Sequence, residues 1–206
     1  MRVGGIAGIA AVIAYFIAGF GPFPWPFRRL FWFAIGPCGV IFTLGLDSLL
    51  SMHRKTVAGR VGAIFGVIGM AIFNIMAVVQ SAISARMDHP SPTGIDVRVL
   101  NWVRNSVNSV HLGMDVSFDI FFLLSVVLFG VAMLRHPRFG LRFGVPGALA
   151  ATATLGLNLY AFPIPPEPDL GPLVALWLLA VAIRLVFSAS DAREATLNLR
   201  SRRHAS

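Results

Sequence analysis

Three side chains that could bind a metal ion, a cation or a proton follow one another at intervals of four residues: His111, Asp115 and Asp119. Because an α-helix has 3.6 residues per turn, this spacing places all three on one helical face. Three interpretations fit the set. The residues could be ligands of a divalent metal, a site for a titrating proton or a cation, or a hydrogen-bonded structural seam. The spacing alone does not decide among them.

Six apolar runs hold nearly all of the 206 residues and must position these side chains. They cover residues 3–20, 30–50, 61–85, 110–134, 143–162 and 173–187. With 56% hydrophobic and 13% charged residues, the chain is too apolar for a soluble domain, in which about 25% of residues are charged. Several runs are long enough for the roughly 30 Å hydrocarbon core of a bilayer. The sequence therefore predicts an all-α, polytopic transmembrane helical bundle with six spans.

The predicted organisation is a single transmembrane domain over residues 1–187, followed by a basic tail over residues 188–206. The tail is polar and rich in arginine, so we expect it to be cytoplasmic and partly disordered. Eleven basic residues fall on the side of the six spans that holds both termini, and five fall on the other side. By the positive-inside rule, both termini should be cytoplasmic. The same rule explains the net charge of +8 without a nucleic-acid partner.

The helical face that carries His111, Asp115 and Asp119 is polar in its first half and apolar in its second. The other polar residues are Asn101, Arg104 and Asn108, and the apolar ones are Phe122, Val126, Phe129 and Met133. This polar stripe should therefore enter the outer part of the membrane and stop, which describes a pocket better than a channel. Intramembrane carboxylates cost about 2.5–3.5 kcal/mol on insertion scales, so they should face the bundle interior, water or a partner.

Polar residues on other spans could form a second wall of this pocket. Gln80 near the end of the third span and Asn158 near the end of the fifth should lie at similar outer depths, with Asn74 deeper. The proline-rich loop after Asn158 carries Glu167 and Asp169, which could add negative potential over the pocket or could be solvated loop charges.

A second expected contact lies at the cytoplasmic end, where Asp47 closes the second span and Arg184 interrupts the sixth. Their depths differ by only a few residues at about 1.5 Å each, so we expect an ion pair. The alternative is that Arg184 reaches the inner headgroups alone.

Several classes of function find no support in the sequence. The one cysteine, Cys38, excludes an intramolecular disulfide. The chain has neither a Gly-rich phosphate loop nor an HExxH zinc helix. A haem site with two histidine ligands is disfavoured, because only His111 is expected to be buried.

Four segments carry a resemblance to a known family: His111 to Asp119, Leu134 to Gly140, Asn158 to Pro163 and Asp169 to Pro172. Together they resemble a family of uncharacterised bacterial multi-pass inner-membrane proteins, a domain of unknown function. The likeness covers mainly the second half of the chain. It implies a location in the bacterial cytoplasmic membrane and a helical bundle, and it transfers no catalytic residue.

The sequence favours a non-enzymatic binding, transport or accessory bundle with an outward-facing acidic pocket, because it supplies no complete catalytic constellation. Its partners would be the lipid bilayer and a proton, a cation or a cationic small molecule. The alternative is a membrane-embedded, metal-dependent hydrolase acting at the outer leaflet, with His111, Asp115 and Asp119 as ligands. No cofactor is predicted under the first interpretation, and the sequence leaves open whether the protein is an enzyme.

Overall fold

A computed structural model of the chain describes residues 1–87, 97–163 and 167–204, apart from the side chains of residues 84, 86, 87, 100 and 189–204. The helices in these ranges are α1 (Arg2–Phe20), α2 (Trp25–His53), α3 (Val57–Met87), α4 (Val97–Met133), α5 (Gly140–Ala161) and α6 (Gly171–His204). No strand occurs in these ranges, and the predicted all-α class is confirmed.

Five of these helices are long and apolar enough to cross a membrane: α1, α2, α3 over Val57–Ile83, α4, and α6 over Gly171–Ser188. By length and composition they are consistent with an integral membrane protein. Helix α5 has 22 residues, and its length of about 33 Å would suffice. However, Thr152, Thr154 and Asn158 make it less apolar, and its role as a sixth span remains a prediction.

The helices form a closed ring, in which each helix packs against the next along the chain and α6 packs against α1. The contact between α5 and α6 is the least extensive of the six. One end of the ring contains Met1, the connection 54–56 and the connection 134–139, and we call it the terminal end. The opposite end contains the connection 21–24 and residues 162–163 and 167–170, and we call it the mouth end.

Two pairs of glycines bring neighbouring helices into direct backbone contact. A Cβ atom on Gly4 of α1 would lie 2.8 Å from the Cα atom of Gly45 on α2. A Cβ atom on Gly130 of α4 would lie 2.7 Å from the carbonyl oxygen of Gly144 on α5. Such small-residue contacts are typical of membrane helices, which gain association energy from close packing rather than from the hydrophobic effect.

Apolar side chains lie both inside the ring and on its outer surface. The fully buried ones include Leu46, Met133 and Leu185 towards the terminal end. Large apolar side chains such as Ile75 and Leu149 are exposed on the outside at 57% and 66%. This surface suits a lipid environment, in which exposed apolar groups carry no hydration cost.

The ion pair expected between Asp47 and Arg184 does not form, because each residue has another partner. Asp47 Oδ2 lies 3.3 Å from Arg60 Nη1, and Ser51 Oγ donates to Asp47 Oδ1 over 3.3 Å. Arg184 Nε donates to the carbonyl oxygen of Arg138 over 3.2 Å. The short connection 54–56 places the first turn of α3 beside the end of α2. Arg60, rather than Arg184, therefore contacts the Asp47 carboxylate.

In the C-terminal tail, α6 continues as a helix to His204. The partial disorder expected from the sequence stays a prediction. Alanine, leucine, glutamate and arginine dominate much of this stretch and all have high helix propensity.

Helix α4 is continuous from Val97 to Met133 over 37 residues. At about 1.5 Å per residue it is about 55 Å long, which exceeds the roughly 30 Å of a bilayer core. Trp102, on the extension of α4 before the predicted fourth span, is 71% exposed. The sequence from Thr93 to Asp96 is typical of a helix-capping box before α4, and these residues lie outside the part of the chain that the structure describes.

Candidate functional site

The ring encloses a cavity of about 500 Å³. Residues of all six helices line it, together with Phe162, Pro163 and Asp169 at the mouth end. Small-molecule sites in proteins commonly measure about 300–1,000 Å³ and lie between the helices of bundles. The cavity is therefore the candidate binding site of this protein.

Polar side chains gather at the mouth end of the cavity and come from five different parts of the chain. They are Tyr15 on α1, Gln80 on α3, His111, Asp115 and Asp119 on α4, Asn158 on α5, and Asp169 before α6. Only the assembled ring brings these residues together.

Asp119 is the carboxylate with the best-defined partner in this group. Asn158 Nδ2 donates to Asp119 Oδ2 over 2.7 Å, from α5 to α4. Asp115 and Asp169 are close enough to interact electrostatically with Asp119, and the Tyr15 hydroxyl is close enough to interact with Asp119 and Asp169. Asp119 therefore combines a fixed partner on α5 with a position in the cavity lining.

His111 lies nearer the mouth end than Asp119 does, between α3 and α4. Its Nε2 atom is hydrogen-bonded to Gln80 Nε2 and lies 3.7 Å from Asp115 Oδ2. The side chains of His111 and Asp115 are 27% and 44% exposed. A separation of 3.7 Å is too long for a hydrogen bond, so this pair is looser than the Asn158–Asp119 contact.

The charged side chains of the described cavity lining are mainly acidic. The carboxylates of Asp115, Asp119 and Asp169 lie in it, and no Lys or Arg belongs to the described lining. Clustered carboxylates with low-dielectric walls concentrate negative potential and attract cations. An uncompensated carboxylate in such a site is costly until a cation or a proton joins it.

The part of the cavity towards the terminal end is apolar and largely aromatic. Its wall includes Phe42, Phe122, Val126 and Phe129. The Ser125 hydroxyl there donates to the carbonyl oxygen of Gly62 over 2.7 Å, so its proton is already engaged. Phe129 follows Asp119 by ten residues, which is about 15 Å along α4.

The structure places five of the six predicted pocket residues in this lining: Gln80, His111, Asp115, Asp119 and Asn158. The sixth, Asn74, does not line it. Asn74 packs against α2 instead, where a Cβ atom on Gly36 would lie 2.8 Å from the Asn74 Cβ atom. Asn74 lies six residues before Gln80, which is about one and two-thirds helical turns, so the two side chains point in different directions.

The predicted polar stripe on α4 divides into two parts. His111, Asp115 and Asp119 line the cavity, whereas Asn101, Arg104 and Asn108 are exposed. The exposed part belongs to the extension of α4 before the predicted fourth span, so these three residues need no interior partner.

Sequence reasoning missed Tyr15 and gave Asp169 only a general electrostatic role. Tyr15 is the one hydroxyl-bearing residue of α1, and this is the only signal that could have marked it. Asp169 Oδ1 accepts from the backbone N–H of Gly171 over 2.8 Å, which fixes the carboxylate at the first turn of α6. Its position at the mouth of the cavity depends on α6 packing against α1.

The metal interpretation of His111, Asp115 and Asp119 gains no geometric support. In the part of the chain that the structure describes, no group of three or more His, Cys, Asp or Glu side chains is arranged to hold a metal ion. Asp119 is engaged by Asn158, and the His111–Asp115 pair lies nearer the rim.

Comparisons with known proteins found no matching protein family, no similar curated protein and no similar solved structure.

Proposed function

We propose that this protein is a non-enzymatic binding or transport protein of the bacterial cytoplasmic membrane that holds a cation or a proton in an outward-facing acidic pocket. The observation that carries the proposal is the position of Asp119. It lies in a cavity of about 500 Å³, bonded to Asn158 and close to two further carboxylates, and the described lining has no Lys or Arg.

The roles of the individual residues follow from their positions. Asp119 provides the charge that binds the cation, and Asn158 orients its carboxylate. Asp115 and His111 lie nearer the rim, where they can exchange protons with water and pass a cation inwards. Asp169 and Tyr15 complete the site from α6 and α1.

The orientation is part of the proposal and rests on the distribution of charge. The terminal end carries Arg54, Lys55 and Arg60, and the turn between α4 and α5 adds Arg135 and Arg138. The positive-inside rule then places the terminal end in the cytoplasm and the mouth end outside. In this arrangement α5 is the sixth span. Its hydrogen bond from Asn158 to Asp119 supports a position at the same depth as α4.

The bacterial location also rests on the resemblance of residues 111–119, 134–140, 158–163 and 169–172 to bacterial inner-membrane proteins. That resemblance supplies the location and no activity.

The test is equilibrium dialysis of the protein in lipid nanodiscs against monovalent organic cations, from tetramethylammonium to tetraphenylphosphonium. We expect at least one of them to bind, with affinity lowered about tenfold or more by Asp119→Asn, since a buried charge pair loses one partner. The matched control is Asp47→Asn, because Asp47 is a carboxylate only 8% exposed that lies outside the cavity. If no organic cation binds in a way that depends on Asp119, the cation-binding part of the proposed function is wrong.

A further inference from the structure

The lining of the cavity points to the class of cation that it holds. We propose that the occupant is an amphiphilic cation, with its charged group at Asp119 and an apolar body that extends past Phe122 towards Phe129. The inference rests on the proposed function and goes further by naming the substrate class.

An aromatic wall lies beside the carboxylates. Trp32, Phe73, Phe118 and Phe122 all line the cavity. Their ring centroids follow one another at 5.5 Å from Trp32 to Phe73, 5.2 Å from Phe73 to Phe118 and 5.1 Å from Phe118 to Phe122. Phe118 and Phe122 directly precede and closely follow Asp119 on α4. An organic cation at Asp119 would thus meet a carboxylate and several aromatic rings, as quaternary ammonium ligands do in aromatic cages.

The apolar part of the cavity extends well beyond Asp119. The cavity continues beyond Asp119 to Val126 and Phe129, which are 2% and 3% exposed. A small hydrophilic cation would occupy only the mouth end and leave these walls without contacts, and an apolar void has no dispersion partners. An apolar body of matching length would fill this region.

The cavity is much larger than a simple ion with its first shell of water. The volume is about 500 Å³, and one water molecule takes about 30 Å³ in the liquid. A metal ion or a hydronium ion with its first waters would therefore fill a minor part. Those waters would also need two to four polar partners each. Of the three hydroxyls in the described lining beyond Asp119, those of Thr43, Ser125 and Thr154, the last two already donate to backbone carbonyls.

The experiment compares three probes in the nanodisc-embedded protein by equilibrium dialysis, with empty nanodiscs subtracted. Tetraphenylphosphonium is the apolar cation, tetramethylammonium is the small cation, and triphenylphosphine oxide is a neutral compound with similar rings. We expect tetraphenylphosphonium to bind about 100-fold more tightly than the other two.

Two variants test whether the aromatic wall contributes to the binding of the cation. Phe122→Leu keeps an apolar side chain but removes a ring. We expect it to weaken the binding of tetraphenylphosphonium about tenfold and the binding of tetramethylammonium by less, because the smaller cation contacts less of the aromatic wall. The control Phe65→Leu removes a ring that lies outside the cavity lining and contacts Phe121 instead. We expect no change in either affinity.

The outcomes separate this inference from the proposed function. If tetramethylammonium binds as tightly as tetraphenylphosphonium, and Asp119→Asn weakens it, the pocket is a cation site and the amphiphile inference is wrong. If the neutral compound binds as tightly as the cation, or if no probe binds, the amphiphile inference and the cation-binding part of the proposed function are both wrong. If Phe122→Leu and Phe65→Leu have equal effects, the aromatic wall does not contact the ligand and the inference is again overturned.

Discussion

Asn158 on α5 donates its side-chain amide to the carboxylate of Asp119 on α4 over 2.7 Å, at the mouth end of the cavity. This bond joins two neighbouring helices where the membrane would otherwise leave a carboxylate without a donor. It therefore serves both the packing of the ring and the arrangement of the site.

Removing that donor should lower both stability and cation affinity. We expect Asn158→Ala to cost about 1–3 kcal/mol of unfolding free energy, because the half-buried Asp119 loses its hydrogen bond. Thermal unfolding in detergent would measure the loss. Asn101→Ala is the matched control on an exposed position of α4 and should change the midpoint little. Equal shifts in both variants would argue against a specific role for the Asn158–Asp119 bond.

The close contact between α4 and α5 should be sensitive to a single methyl group. Gly130→Ala would place a Cβ atom 2.7 Å from the carbonyl oxygen of Gly144, so the helices must separate. We expect a loss of about 1–3 kcal/mol. Gly156→Ala on α5 adds the same methyl group where nothing lies within 4 Å and should be neutral. The two variants would be compared by their unfolding midpoints.

The pH dependence of stability should include a contribution from His136, in the turn between α4 and α5. This residue is 6% exposed, and its ring centroid lies 5.4 Å from that of His53. Burial lowers the pKa of His136, and the charges of His53 and Arg138 lower it further, against a hydrogen bond to the Leu49 backbone that raises it. The unfolded chain therefore binds a proton at higher pH than the folded protein does.

Because the pKa of His136 is lower in the folded protein than in the unfolded chain, acid should destabilise the fold. As the pH falls below about 6.5, the ordinary histidine pKa, the unfolded state gains a proton that the folded state lacks, so stability falls until the pH passes the lowered pKa. The measurement is the unfolding midpoint at pH values from about 7.5 down to about 5, which bracket this window. We expect the midpoint to fall in the wild type and to fall less in His136→Gln. Identical profiles would show that His136 does not contribute.

The non-enzymatic proposal can be separated from the metal-dependent hydrolase by elemental analysis. We expect the purified protein, after exposure to divalent metals, to retain no more metal than the triple variant His111→Ala, Asp115→Asn, Asp119→Asn. About one metal ion per chain in the wild type, lost in the variant, would favour the hydrolase, since a zinc site needs three or four ligands.

The number of spans determines where the two termini lie. Six crossings place both on the same side, whereas five crossings, with α5 outside the bilayer, would place them on opposite sides. We expect reporters fused at either end to show cytoplasmic activity, in agreement with the basic residues of the terminal end. Opposite results from the two ends would show that α5 does not cross.

The sequence predicted the helices well, because each apolar run between polar breaks is a strong and local signal. It also placed His111, Asp115 and Asp119 on one face, since that relationship lies within a single helix. Between helices the outcome was mixed, since Gln80 and Asn158 line the cavity as expected but Asn74 does not, and Asp47 pairs with Arg60 rather than Arg184. The direction of Asn74 and the partner of Asp47 depend on how each helix is rotated about its axis.

These two errors have a physical cause. In a soluble protein the apolar face of a helix marks the interior, but in a membrane both the interior and the lipid are apolar, so hydropathy carries little information on rotation. Tyr15 illustrates the difficulty. It lies in a helix of apolar residues, and only the packing of α1 against α2 and α6 turns it towards Asp119 and Asp169.

The joint between α5 and α6 is the least extensive in the ring, although the Trp177 indole crosses it to the carbonyl oxygen of Phe143 over 2.8 Å. Thermal fluctuations that separate neighbouring helices occur most readily where the fewest contacts must break. A ligand dissolved among the lipid tails would therefore enter the cavity sideways most easily at this joint. The rate at which such a ligand is captured would then follow its concentration in the bilayer rather than its concentration in water.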